Sequence, residues 1–423
     1  MLGAIASVFG SVAKLTGIDA PQDDDFVDRL NHVITVSIFS LFAIFVTTRQ
    51  FAGDPINCWL DDTYKDSHKS YIHSYCWIQN TYRVSWDGII PQDEKERQKT
   101  SINYYQWIPV ILMFQVLLFK LPNVFWKVLN GLSGINIEKI GQHAENTQIG
   151  DMESRDTEIK NLAKCISRWL IYKREHHYNV FSRLRSKISR FSVILFFLGL
   201  RNGTYLVGLY MFTKLLYLVN VVAQFYMLNK FLSEDFSMYG IEVIRHLRDV
   251  GEIKDSEFFP KITFCDFEVR QLANVQPHTA QCVLPINLFS EKIFIFIWFW
   301  MFFLAMANCY SFLRWLYKVI FRQNRKDYVE KYLSACIDVS QHGGRVSQFI
   351  DVFLRDDGVF LLRVVCTNST PLVMMDLIRE LWALFVASRF CKKDELTNPL
   401  DPNIQENPID TIGALPLKEK LYP

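Results

Sequence analysis

Residues 103–126 read NYYQWIPVILMFQVLLFKLPNVFW, and this stretch decides the fold. The run is long enough to cross a bilayer, because about 20 helical residues span the hydrocarbon core. It opens on Tyr104, Tyr105 and Trp107, rings with one apolar and one polar end that suit the membrane–water interface. Pro109 follows. A proline removes a backbone donor and crowds the carbonyl four residues back, so its position predicts a bent helix. Upstream lies a segment with two cysteines and downstream a charged region, so the topology turns on which side of the membrane each occupies.

Working outward, three more apolar runs of this kind occupy residues 31–48, 205–232 and 292–317. Charged stretches separate them, which predicts an integral membrane protein with sizeable soluble parts. The formal charge of +2 over 423 residues gives no case for nucleic-acid binding. The N-terminus lacks the positive region of a cleavable signal.

Residues 1–17 place Leu2, Ile5, Phe9 and Val12 at helical spacing, with Gly3, Ser7, Ser11 and Lys14 between them. That period predicts a short amphipathic helix. It lies either on the membrane surface or in a pore mouth, in which case Leu2, Ile5 and Phe9 anchor it and Gly3, Ser7 and Gly10 face the permeant. The acidic run Asp23, Asp24, Asp25 reads as solvated or as a helix cap. Span 31–48 carries Thr35, Ser37, Ser40, Thr47 and Thr48. Small hydroxyls tolerate water and close packing alike, so Thr35 is a pore-lining candidate, with plain packing as the alternative. Lys214 falls inside the third span but near its start, where snorkelling is the simpler reading.

Residues 49–102 hold Cys58 and Cys76 among many Trp, Tyr and His residues, a composition that predicts a folded loop. Zinc binding by His68, His73 and a cysteine does not match known spacings, and no metal or cofactor is expected. The net-acidic loop 233–291 holds Cys265 and Cys282. Residues 127–201 carry 13 Lys and Arg against 7 Asp and Glu, and basic residues also follow the fourth span. The positive-inside rule therefore puts segments 127–204 and 318–397, and both termini, in the cytoplasm. Residues 398–423 are Pro-rich and read as a disordered tail.

Both cysteine-pair loops then face outside, where disulfides persist. Pairing equal heights above the membrane favours Cys58–Cys282 and Cys76–Cys265; pairing within each loop is the alternative. Cys165, Cys309, Cys336, Cys366 and Cys391 remain as free thiols. The only Asn-x-Ser/Thr patterns, at Asn202 and Asn368, fall on the cytoplasmic side, so no sugar is expected on the outer loops.

These residues resemble the innexins, the invertebrate gap-junction proteins. Tyr104-Tyr105-Gln106-Trp107 with Pro109 is similar to that family's signature, as are two cysteines in each outer loop and the stretch from Asp357 to Arg363, DGVFLLR. The resemblance implies an all-α integral membrane protein with four transmembrane helices and an N-terminal pore helix. It also implies a small disulfide-tied extracellular domain of α plus a little β, and a helical cytoplasmic dome. It further implies homo- or hetero-oligomers of such subunits, an octameric ring in contact with membrane lipids, docked to a ring on the neighbouring cell. Ions and small molecules would pass by diffusion at plasma-membrane cell junctions. Competing readings are an unpaired, pannexin-like hemichannel and a poreless tetraspanning junction protein. An enzyme is disfavoured, since no GxSxG, HExxH or P-loop pattern occurs.

Overall fold

The structure is a computed structural model that describes residues 25–61, 64–84, 88, 90–147, 152–172, 203–232, 238–250, 259–337 and 339–397. Gly3, Ser7 and Gly10, and the tail 398–423, lie outside the described residues. The chain opens with α1, Phe26–Ala52, which contains a π-turn at Leu30–Thr35. Next come β1 (Asn57–Trp59), α2 (Asp66–Ile78), β2 (Thr81–Tyr82), α3 (Glu94–Lys99) and β3 (Ser101–Ile102). A 3-10 turn at Tyr104–Gln106 leads into α4, Ile108–Gly131. Helices α5 (Ile137–Asn146) and α6 (Met152–Tyr172) precede α7, Tyr205–Leu232. Helix α8 (Tyr239–Val250) is followed by the hairpin β4 (Ile262–Gln271) and β5 (Asn274–Val283), then by α9, Pro285–Ile320. The chain continues through α10 (Arg322–Leu333), α11 (Val339–Gln348), a π-turn at Phe349–Leu354, α12 (Arg355–Asn368) and α13 (Pro371–Thr397).

Among the described residues four helices, α1, α4, α7 and α9, are long and apolar enough to cross a membrane. Each leaves apolar side chains uncovered, such as Phe114, Leu117, Leu121 and Val124 on α4 and Phe299, Phe302, Phe303 and Met306 on α9. Continuous faces of this kind suit lipid or a neighbouring subunit rather than water. The bend expected at Pro109 loses its cause. Pro109 sits in the first turn of α4, where its missing N–H is one that the helix leaves unbonded anyway. The proline inside the helix is Pro122.

The described chain divides into two compact units. The first takes in Asp24–Lys127 and Thr213–Arg314. Its apolar core draws Phe39 and Val46 from α1, Leu112 and Phe119 from α4, Val221 and Leu228 from α7, and Phe294, Ile297 and Met301 from α9. Phe39 meets Phe119 edge-on at 5.5 Å. The same unit holds an antiparallel five-stranded sheet of order β1-β5-β4-β2-β3.

The second unit takes in Val128–Phe212 and Trp315–Pro423. Here α6 packs on α13 and α5 on α12, burying Ile159, Ile166, Leu361, Val365, Leu377 and Leu381. Asp357 explains the DGVFLLR stretch. Its carboxylate is buried and accepts the first backbone N–H groups of α7, from Tyr205, Leu206 and Val207 at 3.1, 3.0 and 3.2 Å. A carboxylate suits that end of a helix, where unbonded donors and the positive dipole converge. Gly358 lets Leu170 and Leu354 approach closely, since a Cβ there would lie 3.3 Å from each.

Candidate functional site

Three parts of the first unit carry the features expected of a channel subunit. The first is the sheet. The β1–β5 register sets Cys58 opposite Cys282, and these two are bonded. Cys76 lies one helical turn from Ile72 on the buried face of α2 and bonds Cys265 of β4. Both bonds therefore run between the two loops. Ile56, Ile72, Phe267, Ala280 and Leu284 close around them. The Sγ atoms of Cys58, Cys76 and Cys282 lie within 4.8 Å of one another. All are consumed in disulfides and offer no thiolate to a metal. His73 makes a 3.2 Å contact with the Cys58 carbonyl oxygen. Cys165, Cys309, Cys336 and Cys366 are free thiols, and the Cys391 side chain lies outside the described residues.

A polar knot adds to the bonds. Asp266 on β4 accepts the Tyr82 hydroxyl at 3.0 Å and the Thr279 hydroxyl at 2.7 Å, and pairs with Arg97 Nε at 3.2 Å. Burial, then the Asp266 carboxylate, pushes the Tyr82 hydroxyl pKa up to about 12, so it stays a donor. Residues of both loops thus meet at one carboxylate.

The second part is the joint between sheet and spans, and it is made by the YYQW stretch. Tyr105 is fully buried with its ring 4.8 Å from Trp77. Tyr104 stands edge-on to Phe259 at 5.7 Å and Phe231 at 6.3 Å, and its burial raises the hydroxyl pKa. Gln106 donates through Nε2 to the Trp77 carbonyl and accepts Gln50 Nε2 on its own carbonyl. Only Trp107 of the expected aromatic belt is exposed. The other residues of the stretch are spent on holding loop, turn and helix together.

The third part lies at the start of α1. Asp25 caps the helix by accepting the Phe26 N–H at 2.9 Å, and Asp28 reaches back to the Asp25 N–H at 3.3 Å. Lys214 does not snorkel. It is 2% exposed, and its Nζ lies 2.8 Å from Asp28 Oδ1, 2.8 Å from Ser311 Oγ and 3.6 Å from Asp25 Oδ2. Asp25, the last residue of the acidic run, is thus a cap and, with the buried Asp28, a counter-charge to Lys214. Asn31 and Asn308 exchange amide hydrogen bonds at 2.8 and 3.0 Å. Thr35 corrects the expectation placed on it. It is fully buried, donating to the Leu30 carbonyl and accepting Trp300 Nε1 at 3.0 Å. Its hydroxyl serves packing within the subunit. The exposed polar residues of α1 are Thr47, Thr48 and Arg49 near its far end.

The innexin family model matches residues 24–385. The chain belongs to the innexin family. It is similar to innexin unc-9 of Caenorhabditis elegans, 38% identical over 375 residues that cover 88% of this chain and 95% of that protein. Innexin-3 of the same organism is 35% identical over 85% of this chain and 83% of its own length. Innexin-19 is 34% identical over 88% and 85%. Innexins are gap-junction channel subunits rather than enzymes, and this chain is read with them as a multi-pass membrane subunit of an oligomeric channel.

Proposed function

We propose that this innexin forms an octameric ring in the plasma membrane and docks through its disulfide-tied sheet with a ring on the adjacent cell. Ions and small metabolites then pass between the two cytoplasms. The observation that carries this reading is the single sheet built from both cysteine loops and anchored to the spans through Tyr105 and Gln106. A surface that must meet its counterpart across a gap needs such rigidity, because ordering a loose loop costs free energy on every contact. The basic segments 127–201 and 318–331 favour a cytoplasmic placement of both termini.

Four helices enclose no room for a wide pore, so the path runs between subunits. Thr48 and Arg49, exposed on α1, are then better lining candidates than Thr35. Gly3, Ser7 and Gly10 complete the lining if residues 1–17 fold into the mouth, and deleting those residues is expected to change conductance while leaving surface delivery intact. The docking reading is tested with Cys58→Ser. Surface biotinylation should find the variant at the membrane, and paired-cell recording should find no coupling. Coupling at the normal level would overturn docking through a rigid sheet. An unpaired hemichannel would instead show current in single cells and none between paired cells with the natural sequence.

A further inference from the structure

Within the second unit a small, half-open cleft is lined by Val207, Trp315, Lys318, Arg325, Asp356 and Arg363, with Val319, Val359 and Phe360 beside them. Its polar lining is three cations against one carboxylate. The cations are built in. Lys318 lies over the Trp315 ring at 4.6 Å and Arg363 over the Tyr328 ring at 5.0 Å. Arg325 is held by Asp351 at 3.1 Å and by Asp356, while Arg322 also engages Asp351. Those pairings leave Arg325 Nε buried and without a hydrogen bond, and a buried unbonded donor costs free energy. Arg363 finds only the Asn324 carbonyl at 3.4 Å and has no carboxylate within ion-pair distance among the described residues. Burial lowers the pKa of both Arg325 and Arg363, and the positive charge of Arg325 lowers that of Arg363 further. Cations crowded in this way are relieved by an anion.

The cleft sits at the C-terminal end of α9, beside the exposed rings of Tyr317 and Phe321. Aromatic rings followed by basic residues at the end of an apolar helix mark the headgroup layer of a bilayer. We propose that this cleft binds a phosphomonoester, the group being that of a phospholipid headgroup or of a soluble phosphate compound. Arginine forks and a lysine are the side chains suited to its doubly charged oxygens. The Asp356 carboxylate competes with the phosphate for Arg325.

The test uses the purified full-length channel and needs neither docking nor conductance, so its failure is separate from failure of the channel reading. Native mass spectrometry counts lipids retained from nanodiscs of phosphatidylcholine alone or with phosphatidylinositol 4-phosphate, and inorganic phosphate is added as competitor. Retention of the phosphoinositide is expected. Lys318→Gln should weaken it about fivefold, the effect of one basic residue near a charged surface, and Arg363→Gln about tenfold or more. Asp356→Asn should strengthen it about fivefold by removing the competing charge, an effect that a damaged fold cannot produce. Retention unaffected by inorganic phosphate assigns a lipid source. Displacement by inorganic phosphate with the same order of variants assigns a soluble one. Equal retention of phosphatidylcholine, or the same phosphoinositide retention in all four proteins, overturns the proposal.

Discussion

Replacing Lys214 by Met tests what holds the start of the first span. The lysine is 2% exposed and Asp28 likewise, and their charged atoms lie 2.8 Å apart. Removing one partner of a buried pair leaves the other charge uncompensated, at a cost of about 3 to 5 kcal/mol. Asp28 keeps the Asp25 N–H, but a hydrogen bond does not replace a whole charge, so we expect a value inside that range. For a unit of this size each kcal/mol moves the melting temperature by about 2 to 4 °C, so Lys214→Met should melt roughly 10 °C lower. Adding Asp28→Asn to it removes the stranded charge and keeps an acceptor for the Asp25 N–H. The double variant should recover most of the loss, because a buried pair replaced by neutral groups is often near break-even. Fluorescence-detected size-exclusion after heating measures all three proteins in one detergent. Equal melting of the single and double variants would refute the reasoning, since the cost would then come from lost packing and not from charge.

Asp357→Ala removes three hydrogen bonds from the N-terminus of α7 and should lower stability by about 2 kcal/mol, while Asp357→Asn should keep about half; thermal melts of the two separate the outcomes. Gly240→Ala drives a Cβ into the Trp298 ring, and the forced shift should cost about 1 to 3 kcal/mol, read in the same melts. Asp351 has its carboxyl held below the usual carboxylate range, first by the Arg322 hydrogen bond. Its contribution is therefore full above the unfolded carboxylate value of about 4 and is lost as pH falls through the lower folded value. Melting temperature measured down through acid pH should drop less in Arg322→Gln than in the natural sequence.

The four spans were legible because length and apolarity alone specify them, whatever they pack against. Which face of a span turns inward was not legible. Helix α1 is apolar nearly all round, so nothing in its period separates a buried Thr35 from an exposed Thr48. The partner of Lys214 was hidden for another reason. Asp25 closes a run that looks solvated, Asp28 follows it, and both lie nearly two hundred residues from Lys214, so only folding brings them together. Tyr105 and Gln106 stand out in the sequence as a motif, but a ring that marks an interface and a ring that fills a joint are the same residue type. Their burial against Trp77 separates the two readings. Prolines misled in a similar way: Pro109 and Pro122 are equally visible, and only the helix start at Ile108 makes the first harmless and the second internal.

The sheet order β1-β5-β4-β2-β3 has a consequence for how the protein is made. The central hairpin comes from the second loop and the flanking strands from the first. Cys58 and Cys76 must therefore wait for partners 224 and 189 residues further along the chain. At a synthesis rate of about 5 to 20 residues per second the delay is roughly 10 to 45 s. During that interval each of the two thiols has only the other within reach, and a bond between them would have to be exchanged before the sheet can close. Closure of the sheet thus waits on the third span, and the first loop keeps two unmatched cysteines until the second loop has been made.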